Sequence, residues 1–152
     1  MHALPDFGLS FDICISHIHL ENTIKLVRQC PKVRFILDHI GKPDIKNHVI
    51  DPWREHLRTL ASMENVWCKM SGLVVEADWE RWTEADLRPY IDFVLECFGF
   101  DRVMFGGDWP VVLRASRWEQ WVTALAKAMQ GASPEERRKL FHDNAISFYR
   151  LA

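Results

Sequence analysis

The chain has 152 residues, 48% hydrophobic and 26% charged, with a net charge of -2. This length suffices for one domain with its own core, and the near-neutral balance excludes recruitment of nucleic acid or an anionic membrane by bulk electrostatics. No apolar run approaches the roughly 20 residues needed to cross a bilayer, and the opening MHALPDFGLS lacks the basic start and apolar stretch of a secretory signal.

Taken in order, a β-like run over residues 9–15 comes first, and Asn22 can then cap a helix carrying Ile24 and Val27 that ends before Pro31. A second run, 33–37, is followed by Asp51-Pro52, a cap with proline at the first helical position, and by the apolar stripe Trp53, Leu57, Leu60 and Ala61. A third run, 65–70, precedes Thr83-x-x-Asp86, which has the form of a capping box. Its helix carries Leu87, Tyr90, Ile91, Val94, Leu95 and Phe98 and stops at Gly99. After the fourth run, 102–105, Ser116 is placed to cap a helix with Trp118, Trp121, Val122, Leu125, Ala126 and Met129 on one stripe, and Gly131 lies past its end. A further helix starts at Ser133-Pro134-Glu135-Glu136, and a short last one, capped by Asp143 or Asn144, carries Ile146, Phe148 and Tyr149.

The runs are rich in β-branched and aromatic residues and poor in polar ones, as strands buried on both faces are. Strand alternating with helix implies parallel strands and crossover helices, in an open doubly wound sheet or in part of a (β/α)8 barrel. In either design ligands gather at the C-terminal strand ends. Here those ends read Ser16-His17-Ile18-His19, Asp38-His39, Lys69-Met70-Ser71-Gly72 and Gly106-Gly107-Asp108-Trp109-Pro110. Polar ends on apolar strands predict one site assembled from several strands.

Asp108 follows two glycines, which permit a sharp turn, and precedes Trp109-Pro110, so its carboxylate is expected at a strand mouth, partly screened by indole. It can act as a general base for water, or as a turn former bonding nearby amides. His39 can bind a metal, donate to a carbonyl or take a proton, or it can be a satisfied buried histidine. Asp38 should point away from it and bind backbone or a neighbouring strand. Lys69, ending an apolar strand, needs a partner: a substrate carboxylate, or an acid such as Asp108 or Asp38. Arg114 and Arg117 can clamp an anion or stay solvated. His17 and His19 would share a metal if they alternated on a strand, but no third ligand stands at a telling distance, and a solvated loop is the better reading. The cysteines Cys14, Cys30, Cys68 and Cys97 form no C-x-x-C pair and read as buried thiols in a reducing, cytoplasmic setting. Most of the seven tryptophans read as core packing rather than carbohydrate platforms.

Four stretches carry a resemblance: residues 35–43 (FILDHIGKP), 66–73 (VWCKMSGL), 104–111 (MFGGDWPV) and 141–145 (FHDNA). In this order and spacing they resemble the amidohydrolase-related family that includes sugar-acid lactonases and the pyrone-dicarboxylate lactone hydrolase. The resemblance implies a (β/α)8 barrel of which residues 1–152 hold the last four strands as one partial domain. It implies that Asp108 activates water, that His39 polarises or positions a lactone carbonyl, and that Lys69, with Trp109, lines or braces the substrate pocket. The family's first-strand His-x-His pair has no counterpart here, so no metal role passes to His17 or His19. The cofactor is open between a divalent metal and metal-free catalysis. A decarboxylase of the same superfamily is the alternative enzyme. A non-catalytic half-barrel, its sheet edges and inner face exposed, is the alternative of another kind. That exposure predicts a homo-dimer or a complementing N-terminal half as partner, and little activity from the chain alone.

Overall fold

The computed structural model describes residues 1–151. Four parallel strands, β1 (Ser10–Ile13), β2 (Arg34–Leu37), β3 (Val66–Met70) and β4 (Val103–Phe105), lie side by side in chain order. Their register, Ile13 beside Leu37, Leu37 beside Cys68 and Met70 beside Phe105, brings all four C-terminal ends to one rim. The connections carry helices α1 (Leu20–Gln29), α2 (Trp53–Ala61) and α4 (Glu84–Phe98), with a one-turn helix α3 (Leu73–Glu76) just after β3. After β4 come α5 (Trp118–Ala128), α6 (Pro134–Arg138) and α7 (Asn144–Tyr149). The sheet is thus an α/β half-barrel of four strands followed by C-terminal helices.

Period-two alternation divides each strand between two faces. In β3, Val66, Cys68 and Met70 are buried, whereas Trp67 and Lys69 are half-buried. The first set joins Phe35, Leu37 and Val103 in the main core with Val27, Leu57, Ile91, Val94, Trp121 and Leu125 of the helices. The second set faces inward. There Ile36, Met104 and Phe148 form a separate buried cluster, with Trp67, Ala145 and Tyr149 packed against it. The expectation that this inner face would lie bare is therefore corrected: α7 folds back across it. Its Phe148 ring sits 5.4 Å from that of Trp67, and the Arg34 guanidinium lies 4.6 Å over it.

Sequence capping rules hold at α4, where the Thr83 amide donates to Asp86 Oδ2 at 2.7 Å, and at α6, where the Glu136 amide donates to Ser133 Oγ at 3.2 Å. They fail elsewhere. Helix α1 starts at Leu20, ahead of Asn22, because a 3-10 turn over His17–His19 leads directly into it. Helix α2 takes Pro52 rather than Asp51 as its cap, and α5 takes Arg117 rather than Ser116. The last helix does start at Asn144 with Asp143 in the N-cap position, but no side chain caps it, since a π-helical turn, Lys139–Asp143, leads into it directly from α6. Asn144 is instead a buried anchor, donating to the carbonyls of Phe100 and Val103 at 2.6 and 2.7 Å. The cysteine reading also needs correcting: Cys30 and Cys68 are buried, but Cys97 is only partly so and Cys14 is exposed.

Candidate active site

The rim is built by backbone as much as by side chains. Past β2 the chain enters the left-handed region at His39 (φ 54°) and again at Ile40 (φ 49°). For a β-branched residue this is costly, about 1–3 kcal/mol, and it persists only where packing enforces it. Here the fully buried Ile40 is fixed by the Trp53 indole, which donates to its carbonyl at 2.7 Å. The turn lifts the His39 ring over the strand ends. Its Nδ1 lies 2.8 Å from the hydroxyl of buried Ser71, at the end of β3. Gly72 closes the other side: a Cβ there would come within 2.8 Å of His39 Cβ. The ring is thus oriented by one hydrogen bond and one close backbone approach, with Nε2 directed to the mouth.

Asp108 also has a positive φ, 52°, and its carbonyl accepts from the Val112 amide at 2.8 Å. Gly106 leaves room for Ser71, whose Cβ would stand 2.7 Å from a Gly106 Cβ, and Gly107 packs against the Trp118 indole. These contacts bring Asp108 Oδ1 to 3.8 Å from His39 Nε2. That is too long for a direct hydrogen bond and short enough for both groups to hold one small polar species between them. Burial pushes the Asp108 carboxyl up from its ordinary range, against the pull of His39 and Lys42. Burial also pushes the His39 imidazole down, against the pull of Asp108 and Asp38, which favours the neutral ring at pH 7.

Beside this pair lies a half-buried charge cluster. Asp38, just past the end of β2, reaches the neighbouring strand and meets Lys69 Nζ at 2.6 Å. Lys69 also donates to Asp12 Oδ2 at 3.0 Å, and the Tyr149 hydroxyl donates to the same oxygen at 2.6 Å. Burial works against the ammonium, but its bonds to Asp38, Tyr149 and Asp12 outweigh burial and raise its pKa. Burial and the Asp12 bond push the Tyr149 phenol up to about 12. Of the two roles open to Lys69, its contacts describe the bracing one.

The other expected residues are placed as follows. Trp109 is 71% exposed, so it does not screen Asp108. His17 and His19 lie in a 3-10 turn rather than alternating on a strand, and His17 Nδ1 stands 2.8 Å from the Lys42 carbonyl. Arg114 stacks at 4.1 Å on Trp79. Three rim residues were given no site role from sequence: Ser71, named only among the polar strand ends, Cys14, read as a buried thiol, and Glu76. Burial raises the Glu76 carboxyl, with Lys42 pulling it down. Cys14 lies just past the end of β1 and is exposed at the rim. Cys14, Asp38 and His39 each offer one donor atom, and these atoms lie within 4.8 Å of one another. The set of thiol, carboxylate and imidazole suits a divalent cation.

A half-barrel of parallel strands with its polar groups at the C-terminal rim is the plan of barrel enzymes. The amidohydrolase family model matches residues 1–151, and the chain belongs to that family. It is 32% identical over 162 residues to L-fucono-1,5-lactonase of Burkholderia ambifaria, covering 98% of this chain and 52% of that protein. It is 40% identical over 126 residues to L-fucono-1,5-lactonase of Burkholderia multivorans, covering 76% and 43%. The crystal structure of an amidohydrolase from Burkholderia multivorans with bound zinc superposes with a TM-score of 0.94 at 30% identity, over 98% of this chain and 55% of the other. The chain thus spans about half the length of the relatives it matches.

Proposed function

We propose that this chain supplies the last-strand half of a lactone-hydrolase site, with a sugar-acid or dicarboxylate lactone as substrate. The observation that carries the reading is the Asp108 carboxylate facing the free nitrogen of an oriented His39 across 3.8 Å. In this reading Asp108 takes a proton from water as the water oxygen bonds to the lactone carbonyl carbon. The His39 Nε2–H donates to the carbonyl oxygen as negative charge develops there. The ring C–O bond then breaks, and the proton held by Asp108 passes to the leaving ring oxygen, giving a hydroxy acid. Lys69 fixes Asp38 and thereby the turn that carries His39. The exposed Trp109 indole offers an apolar face for a sugar ring to stack on. Cys14, Asp38 and His39 also offer donor atoms that would hold a divalent cation, in which case the His39 ring would serve as its ligand instead of donating to the carbonyl. The chemistry such an ion supplies when bound is polarisation of the carbonyl and acidification of water.

The similarity to lactonases supports the substrate class, and the half-length match supports a partner: a complementing N-terminal half that brings four further strands. Among the described residues no helix is long and apolar enough to cross a membrane, and we assign the protein to the cytoplasm, where free thiols persist. The test replaces Asp108→Asn in the complemented enzyme and follows lactone opening by proton release. A general base contributes about 10^2–10^4-fold, so kcat should fall by that factor with KM little changed. Retained turnover would remove the base, and carbon dioxide release without ring opening would give the site to a decarboxylase.

A further inference from the structure

The Tyr149 phenol takes no part in the chemistry above, yet it stands at the end of a continuous run of contacts that leads to His39. Helix α7 is pinned at both ends. At its start Asn144 donates to the carbonyls of Phe100 and Val103, at the base of β4. At its end the Tyr149 hydroxyl donates to Asp12 Oδ2 on β1 at 2.6 Å. The helix thus crosses the inner face from β4 to β1 and delivers one hydroxyl into the charge cluster. The same Asp12 oxygen accepts from Lys69 at 3.0 Å, and Lys69 meets Asp38 Oδ1 at 2.6 Å. Asp38 leads directly into the left-handed turn at His39. We propose that Tyr149 is a positioning residue for His39, acting through Asp12, Lys69 and Asp38 by setting how one ammonium is shared between two carboxylates. Its consequence for turnover rests on the lactone-hydrolase reading of His39, whereas the coupling itself does not.

The sharing is unequal. Asp38 Oδ1 is buried, and among the described residues it has no partner but Lys69. Leaving such an oxygen unpaired is costly, so the turn before His39 depends on where the ammonium stands. Asp12 competes for the same cation and is the more exposed of the two acids, 38% against 15% by side chain. The phenol gives Asp12 a short bond to a charged acceptor, the stronger kind of hydrogen bond, and so leaves the ammonium nearer to Asp38. Without that hydroxyl, Lys69 is the remaining side-chain donor to Asp12 among the described residues, and the ammonium is drawn toward β1 and away from Asp38. The Tyr149 ring has a separate task. It packs edge-on against Phe148 at 5.0 Å and lies 5.5 Å from Lys69 Nζ, contacts that phenylalanine would keep.

The test follows the histidine ring resonances of the full chain by proton–carbon NMR at fixed pH. Tyr149→Phe should move the His39 cross-peak by more than its line width and leave that of His56, on α2, in place. Adding Asp12→Asn to Tyr149→Phe should return the His39 peak to its native position, because the competing charge is gone; a hydroxyl that merely held the helix down would not be replaced by a second loss. Tyr90→Phe, whose hydroxyl is bonded to the Val49 carbonyl instead, should leave His39 unmoved. A displacement of about 1 Å at a catalytic group costs on the order of 10^2-fold. In the complemented enzyme, kcat of Tyr149→Phe should therefore fall by roughly 10- to 100-fold with KM little changed, and the double variant should recover it. An unmoved His39 peak in Tyr149→Phe, a peak displaced equally in the double variant or in Tyr90→Phe, or a Tyr149→Phe chain that no longer folds would each overturn the proposal. A displaced peak with unchanged kcat would count against the role of His39 in hydrolysis and leave the coupling standing.

Discussion

His39 is oriented by Ser71 and Gly72 and titrates against burial, which gives it a testable signature in stability. Its folded pKa lies below the unfolded value of about 6.5. Below that value the unfolded chain binds a proton that the folded chain resists. Stability contributed by the neutral ring is therefore full above about pH 6.5 and is lost as pH falls toward the folded value. Urea unfolding at pH 7.5 and 5.5 should show a larger acid loss for the native chain than for His39→Asn. Equal losses would mean that the ring is solvated in the folded state. Asp108 has the opposite sign. Its raised carboxyl penalises the folded state as pH rises through its range, where the His39 contribution increases stability. That His39 and Asp108 meet was legible in sequence, because both follow apolar strands whose parallel order fixes where they end. Their orientation by Ser71 was not, since it depends on the left-handed turns at His39 and Gly72 that no periodicity encodes.

At the scale of elements, the turns that carry the site leave little room for an added side-chain atom. Gly72 has φ +74°, and a Cβ there would strike His39 Cβ at 2.8 Å, an atom fixed to backbone that no rotamer change can move. Gly72→Ala should cost at least about 1–2 kcal/mol from the left-handed conformation alone. It should also push the imidazole off Ser71. Gly131→Ala, where an added Cβ meets nothing within 4 Å, is the control and should be near neutral. Urea midpoints for the two variants decide the matter, and similar midpoints would show that the rim yields easily. The helices were legible to different depths. Thr83-x-x-Asp86 and Ser133-x-x-Glu136 announce their starts because the reciprocal bonds are local. Asn144 looked like a cap by residue type, but its amide is taken by the carbonyls of Phe100 and Val103, distant in sequence. The fate of α7, folded across the inner face, was illegible because Phe148 and Tyr149 carry an ordinary helical stripe whose partner only the tertiary structure reveals.

That placement of α7 bears on how the whole molecule completes itself. A parallel sheet with β1 and β4 as its edges has two unpaired backbone rows, and Leu9 and Phe11 stand exposed along the first. A second copy and a different four-stranded half can each satisfy those edges on hydrogen-bonding grounds. The inner face separates them. Phe148 already fills the space before Ile36 and Met104, and Tyr149 is tied to Asp12. Closing a barrel on a second copy would bring two such helices across one lumen, where close packing leaves no room for the second. A half without that helix meets no such conflict, and it would supply the strand ends this rim lacks. Mixing the chain with the N-terminal half of a lactonase relative should therefore give a one-to-one complex on gel filtration. Lactone hydrolysis should appear only in that fraction. A stable homodimer that resists exchange with the added half, or turnover by the chain alone, would show that four strands and one plug already make a finished molecule.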